Sequence, residues 1–304
     1  MKTSSSCAIG SRRVGSIGRI GVWGHLDSLS VTDARSYAKR VDELGYGTLW
    51  VPETVGREPF TFLGILAGET SRLHLGTSIV SIWGHDAQAT RMASLTLSEA
   101  TGGRFVLGLG VSHPHLATKL RGHAFDRPLT RMREYLAAYR AAIYRGPEAP
   151  EPTVLVAALR ERMTDLAATD ADGAFPYLVT AERVAWMRAR LDAAADEGRP
   201  LLAVTLPVAL SPDVGLDAAR AYLKPYLRTP TYHASWELQG FEASDWEPPG
   251  SDRLLHAMVA SGSVSEVQAR IAELVGAGAD HVALIPLTPE GRTEHLPTVE
   301  LLAP

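Results

Sequence analysis

Short, nearly continuous apolar runs alternate with amphipathic segments along this chain, and that rhythm restricts the fold more than any other feature. The first run, Ile17-Gly-Arg-Ile-Gly-Val-Trp23, reads as a strand. Thr32-Asp33 is then placed to cap a helix whose Ala34, Tyr37, Ala38, Val41 and Leu44 recur at spacings of three and four, forming one apolar face. Gly45 is placed to end that helix, and Thr48–Val51 is a second buried strand stopped by Pro52. Strand-like runs follow at 73–80, 104–110, 153–159, 174–177, 201–210 and 281–285, with helical patterns at 87–100, 131–143, 162–168 and 181–195. Ser263-Val-Ser-Glu266 is a capping box, in which hydroxyl and carboxylate satisfy first-turn N–H groups. It opens a helix with Val264, Val267, Ile271, Leu274 and Val275 as the buried stripe, ended by Gly276 and Gly278.

Strands that are apolar on both faces and linked by helices imply a parallel sheet covered by helices. Eight such units over about 250 residues predict an α/β fold of the (β/α)8 TIM-barrel type rather than an open doubly wound sheet. Arg228–Met258 breaks the rhythm with Trp236, Trp246, Pro248 and Pro249, and reads as an insertion at the barrel rim in the C-terminal third. The expected organisation is a flexible segment over 1–16, then a single barrel domain over 17–304 with a rim insertion at about 228–258.

Composition narrows the function. With Cys7 as the only cysteine among 304 residues, neither an intrachain disulfide nor a cysteine metal cluster can form. A net charge of −4 argues against a nucleic-acid binder, which usually carries a basic stripe. No apolar run is long enough to span a membrane, and residues 1–18 lack the apolar core of a secretory signal, so the expected location is the cytoplasm.

In a barrel the chemistry sits at the carboxyl ends of the strands. The candidates there are Trp23 and His25, Glu53 and Thr54, Ser78 to Trp83 with His85, Val111 to His115, Ala157 to Arg160, and Tyr177 to Thr180. The stretch Gly108-Leu-Gly-Val-Ser-His-Pro-His115 is the most informative. Its two glycines allow a flat ligand to come close to the strand end, while His113 stands where a dinucleotide fingerprint needs a third glycine. His113-x-His115 puts two imidazoles on one face of a strand, but Pro114 lies between them and no partner set with metal spacing is evident, so no metal site is assigned. His113 suits proton or hydrogen-bond donation, or else is a loop histidine satisfied by backbone. Glu53 either hydrogen-bonds a ligand or caps the next segment. Trp23, Trp83 and Tyr177 are placed to line a pocket for a planar ring. Ser112, Thr54 and Thr180 lack a nucleophile signature such as G-x-S-x-G, so a hydrolase triad is unsupported.

Several of these stretches, in this order, resemble the luciferase-like monooxygenase superfamily. They are Leu44-Gly-Tyr-Gly-Thr-Leu-Trp-Val-Pro-Glu53, Leu75-Gly-Thr-Ser-Ile-Val80 and Gly103-Arg-Phe-Val-Leu-Gly-Leu-Gly-Val-Ser112. Val154-Leu-Val-Ala-Ala-Leu-Arg-Glu-Arg-Met163, Ala171-Asp-Gly173 and Gly276-Ala-Gly-Ala-Asp-His-Val282 continue the series. Within the superfamily the chain looks most like the actinobacterial branch of oxidoreductases that use the deazaflavin coenzyme F420. The resemblance implies a barrel with the cofactor across the strand mouths, and a cis peptide at Ser78-Ile79. It further implies that Glu53, Ser78, Ile79 and Ser81 face the ring or its tail, that Val111 and Ser112 offer backbone contacts, and that Ala158, Leu159 and Arg160 meet the phosphate-bearing side chain. Tyr177 and Thr180 complete the cofactor-binding set. A homodimer acting on a small-molecule substrate is implied by the same analogy.

Two positions depart from the deazaflavin dehydrogenases that the chain resembles. Thr54 stands where several carry His, and His113 where the fourth-strand loop often supplies Glu, so the relatives' sugar-phosphate and alcohol chemistry does not carry over. The expected function is hydride transfer between F420 and a small organic substrate, the accompanying proton being handled by His113 with Glu53 or His25 nearby. The rivals are an FMN-dependent monooxygenase using reduced flavin and oxygen, a metal-dependent hydrolase built on His113 and His115, and a paralogue that binds cofactor without turnover.

Overall fold

Parallel strands close on themselves in this protein, whose computed structural model describes residues 17–210 and 215–304. The expected segment 1–16, with Cys7, lies outside the described residues. The strands are β1 (Ile20–Trp23), β2 (Thr48–Val51), β3 (His74–Thr77), β4 (Val80–Ser81), β5 (Phe105–Gly110), β6 (Thr153–Val156), β7 (Gly173–Ala174), β8 (Leu201–Ala209), β9 (Ala260–Ser261) and β10 (His281–Pro286). Their order is β10-β1-β2-β3-β5-β6-β7-β8, and β8 pairs back to β10 from His281↔Ala203 to Pro286↔Val208, which makes an eight-stranded (β/α)8 barrel. After a two-residue break β4 resumes the line of β3 and pairs with β5, while β9 pairs with the carboxyl end of β8.

The helices are α1 (Val31–Glu43), α2 (Pro59–Ala67), α3 (Ala87–Thr101), α4 (Pro128–Ala141), α5 (Glu161–Thr169), α6 (Ala181–Ala194), α7 (Gly215–Leu223), α8 (Pro230–Glu237), α9 (Ala243–Trp246), α10 (Asp252–Met258), α11 (Val264–Gly276) and α12 (Leu296–Leu301). The start of α1 differs from the expectation: Ser30 is the cap, its hydroxyl accepting from Asp33 N–H at 3.1 Å, so Thr32 and Asp33 lie in the first turn. The capping box at Ser263 and Glu266 forms as expected. The sequence pattern did not mark α2, because Pro-Phe-Thr-Phe-Leu-Gly-Ile-Leu-Ala is apolar almost all round and carries no helical period. Its cap is the Glu58 carboxylate, which accepts from Phe60 N–H and Thr61 N–H at 3.0 and 2.7 Å.

Alternation along each strand divides the core into two. Leu49, Leu75, Leu107 and Val156 point outward under the helices, whereas Trp50, Val106, Phe175 and Ala283 fill the barrel interior. That inner cluster runs on without a break to Trp23, Tyr222, Tyr232 and Trp236, so the inserted helices α8 to α10 extend the core of the barrel at its rim. Gly76 leaves room for Trp50, since a methyl there would fall 2.4 Å from the indole. The indole N–H of Trp50 donates to His281 Nε2 at 2.9 Å, and His281 Nδ1 donates to Gly18 O at 2.7 Å. The ring is therefore neutral with its proton on Nδ1, and burial pushes its pKa down to about 4. Among the described residues no helix is long and apolar enough to cross a membrane.

Because His281 is depressed from an ordinary 6.5 to about 4, the unfolded chain takes up a proton first as the pH falls. Stability present above pH 6.5 is thus lost on acidification towards pH 4. Urea unfolding should show the wild type losing about 2 kcal/mol more than His281→Gln between roughly pH 6.5 and pH 5. Equal losses would show that His281 is not held neutral.

Candidate active site

The loops that leave the strands at their carboxyl ends are where the backbone is under greatest constraint. Among the described residues, four non-glycine positions have left-handed backbone, and all four lie there: Leu26 after β1, Ser112 and Arg127 in the loop after β5, and Leu178 after β7, with φ of 47°, 57°, 41° and 56°. Such conformations cost energy and persist where surrounding structure enforces them.

At the centre is the break between β3 and β4, where Ser78-Ile79 is cis as the resemblance implies. Four backbone groups around the break find partners outside the ladder. Ser78 N–H donates to Val51 O at 2.9 Å, the Trp23 indole donates to Ser78 O at 3.2 Å, and Glu53 N–H donates to Ile79 O at 3.2 Å. Ser81 N–H donates to Glu53 Oε2 at 2.6 Å. Gly108 and Gly110 serve this break: a methyl on Gly108 would lie 2.0 Å from Thr77 O, and one on Gly110 2.6 Å from Ile79 Cδ1. The two glycines are thus filled by the neighbouring strand, where the sequence suggested approach of a ligand.

Glu53 is a fastening. Besides Ser81 N–H, its carboxylate takes the Arg121 guanidinium, and His85 Nε2 stands 3.5 Å away, with the side chain only 8% exposed. Arg121 follows a π-helical turn at Leu116–Leu120, so this ion pair ties the loop after β2 to the loop after β5. Gly84 gives the pair room, since a methyl there would sit 2.5 Å from Arg121 Nη1. Thr54 is likewise occupied, donating to the Asp27 carboxylate and accepting from Gly56 N–H at 3.1 Å.

His113 is half-buried, and its Nδ1 is buried with no hydrogen-bond partner. The ring stacks on exposed His115 at 5.9 Å and tilts against Tyr232 at 5.4 Å. Burial, reinforced by His115, pushes its pKa down to about 4. The sequence reading wanted a proton donor with pKa near working pH, whereas this environment makes His113 a neutral hydrogen-bonding ring. His25 lies edge-on to Trp23 at 5.0 Å, and burial lowers its pKa against the opposing pull of Asp27 and Glu294.

The cofactor-side candidates divide. Ser78, Ile79 and Ser81 form the break described above. The Val111 carbonyl accepts from the Trp83 indole at 2.8 Å, and Ser112 is the left-handed residue beside it. On the far side Ala158 is buried, Leu159 O accepts from Arg183 Nη2 at 2.7 Å, and exposed Arg160 sits at the start of α5, a helix with no side-chain cap. Thr180 is committed elsewhere: its N–H donates to Gln239 Oε1 at 2.8 Å and its hydroxyl caps α6 by accepting from Arg183 N–H at 3.3 Å. The Tyr177 hydroxyl meets those of Tyr222 and Tyr226, and its ring lies 5.9 Å from Trp23.

Sequence reasoning missed Arg183, Arg121, Tyr222 of α7, Tyr226 just before the insertion and Tyr232 within it. Arg183 is 7% exposed, its Nε has no partner, and no carboxylate ion-pairs with it among the described residues. Its one sequence signal is a position three residues after the capping Thr180, inside the apolar face of α6.

Comparison with known proteins agrees with this architecture. The sequence profile of the luciferase-like monooxygenase family matches residues 14–281. A Mycobacterium tuberculosis protein bearing the name of a coenzyme F420-dependent oxidoreductase is 37% identical over 99 residues, which is 33% of this chain and 28% of that relative. Among solved structures, an F420-dependent secondary alcohol dehydrogenase in complex with an F420-acetone adduct superposes with a TM-score of 0.76 at 13% identity, covering 94% of this chain and 97% of the other. The oxygenating constituent of 3,6-diketocamphane monooxygenase from Pseudomonas putida, in complex with FMN, gives 0.70 at 16% identity, covering 94% and 96%.

Removing Arg121 would leave the Glu53 carboxylate buried without its cation. Arg121→Met should therefore cost about 2 kcal/mol of stability in urea unfolding, and much less when Glu53→Gln is already present. Additive costs would mean that the ion pair does not fasten the two loops.

Proposed function

Because the chain belongs to the luciferase-like monooxygenase family, we propose that it is an oxidoreductase holding the deazaflavin coenzyme F420 across the strand mouths and exchanging hydride with a small organic substrate. The observation that carries this reading is the buried guanidinium of Arg183 beside the loop Ala158–Arg160. It stacks on Trp186 at 3.8 Å and donates to Leu159 O, but it has no carboxylate partner among the described residues and its Nε is unsatisfied. A buried cation without an anion is costly unless a ligand completes it. A phosphate-bearing side chain supplies that anion, and the uncapped start of α5 with exposed Arg160 adds N–H groups and a second positive charge. The residues present thus fit the phosphate end of such a coenzyme.

In this reading the break at Ser78-Ile79 backs the ring, held in place by Trp23 and Glu53, and Val111 and Ser112 border it. When bound, the deazaflavin gives or accepts the hydride. The proton that accompanies it is left to the protein. His113 Nδ1, neutral and unpartnered, holds the substrate oxygen by a hydrogen bond, and because its pKa is depressed the proton of an oxidised alcohol passes on to solvent rather than resting on the ring. Glu53 positions the ring support and does not exchange protons, and His25 orders the first-strand loop through Trp23.

FMN carries a phosphate too, and one solved neighbour holds FMN, so the flavin-dependent monooxygenase is the second reading. We place the protein in the cytoplasm. A homodimer is proposed as well, supported by the exposed Ile65 of α2 and Met92 of α3 on adjacent helices.

Fluorescence titration of the purified protein with F420 and with FMN separates the cofactor readings, and tighter binding of F420 is the expected result. A clear preference for FMN would sink the deazaflavin assignment. Arg183→Met should weaken F420 binding by about 10-fold or more, the worth of one charge-assisted hydrogen bond. Unchanged affinity would remove Arg183 from the phosphate site.

A further inference from the structure

We propose that Trp186 is a positioning residue that holds Arg183 in place for the coenzyme phosphate without cancelling its charge, and so sets how tightly an anionic coenzyme tail is bound. The proposal deepens the phosphate site described above and rests on that reading. Among the described residues two arginines are buried, Arg183 and Arg188, and both lie on α6. Their partners differ in kind. Arg188 is neutralised by Asp192, four residues further along the helix, and by Asp280 at 3.2 Å. Arg183 has instead an indole three residues along, its guanidinium carbon lying 3.8 Å from the centre of the Trp186 ring. Residues three and four apart are neighbours on a helix surface, so the indole stands where a carboxylate could have stood.

The carboxylates nearest to Arg183 in the sequence and on the neighbouring helix are turned elsewhere. Glu182 is the preceding residue, and adjacent side chains on a helix do not face each other. On α5, Glu161 and Asp165 are both held by Arg190, at 2.9 and 2.5 Å. The hydrogen bond from Arg183 Nη2 to Leu159 O, at 2.7 Å, fixes one edge of the guanidinium, and the indole fixes its face. The difference between the two kinds of partner matters to a ligand. A carboxylate orients a guanidinium and cancels its charge, whereas an aromatic face orients it and leaves the charge and the in-plane N–H donors free. The unsatisfied Nε is one of those donors. A guanidinium already fixed on edge and face has little rotamer freedom left to lose when an anion arrives. Trp186 itself is 37% exposed, so replacing it opens little of the core.

The test titrates the full-length protein with F420 and follows coenzyme fluorescence, the wild type first, with folding of each variant checked by circular dichroism. Trp186→Leu should weaken binding about 3- to 5-fold, the range of one cation–π contact, while Trp186→Phe keeps most of the affinity. Trp186→Glu, which offers Arg183 a carboxylate at the same place, should weaken binding by about 10-fold or more, as Arg183→Met does. In the Arg183→Met background, Trp186→Leu should change nothing further, because the contact it removes is already gone. A merely structural role for Trp186 would give the same loss in both backgrounds, and that result would overturn the proposal. Wild-type affinity in Trp186→Leu and Trp186→Glu would overturn it too. If the wild type binds FMN and not F420, the same variants are titrated with FMN, whose phosphate makes the same demand on Arg183. Failure of the wild type to bind either coenzyme would strike the reading of the site and the role of Trp186 with it.

Discussion

A parallel strand that breaks its ladder must find another partner for every N–H and C=O it releases, and the mouth of this barrel is organised around one such break. Between β3 and β4, Ser78 N–H goes to Val51 O, Ser78 O to the Trp23 indole, and Ile79 O and Ser81 N–H to the backbone and the carboxylate of Glu53. Other features follow from that settlement. Gly108 and Gly110 exist on β5 because Thr77 and Ile79 press against them. Arg121 pairs with a carboxylate that is only 8% exposed, and in doing so ties the loop after β5 to the loop after β2.

Charge divides the mouth into two sides. Arg183 and Arg160 make the region of the loop after β6 receptive to an anion, with the uncapped start of α5 between them. Elsewhere at the mouth stand Tyr177, Tyr222, Tyr226, Tyr232 and His113, with burial raising the phenols' ionisation and lowering that of His113, packed with Trp23. A molecule with an ionic tail and a flat ring is oriented by such a division before any specific contact forms. The −4 net charge of the chain, spread over its surface, gives no hint of this local polarity. Burial also changes the assignment of roles. The residue that looked like an acid, Glu53, braces the break, while His113 is too depressed in pKa to donate a proton at neutral pH.

Much of the barrel was legible in the sequence, because strands buried on both faces and helices with one apolar stripe have distinct periods. Each of the eight barrel strands overlaps an expected run, although β7 starts one residue before its run and β10 ends one residue after, and the Ser263 capping box forms as written. The helix α2 was illegible, since a segment buried nearly all round has no stripe to show. At the site, the strand-mouth rule located Glu53, Ser78, His113 and Tyr177, because it needs only the ends of strands. It could not find Arg121, Arg183, Tyr222 or Tyr226. Their positions depend on how a π-helical turn, a helix face and the segment running from α7 towards the insertion fold over the mouth, and no local pattern records that.

The central claim is that one mouth holds a deazaflavin ring against the Ser78-Ile79 break with its phosphate at Arg183. The most direct measurement is a crystal structure of the protein grown with F420. Ring density is expected against Ser78 and Ile79, with the phosphate within hydrogen-bonding distance of Arg183 and the start of α5. Coenzyme density elsewhere on the barrel, or a phosphate remote from Arg183, would contradict it.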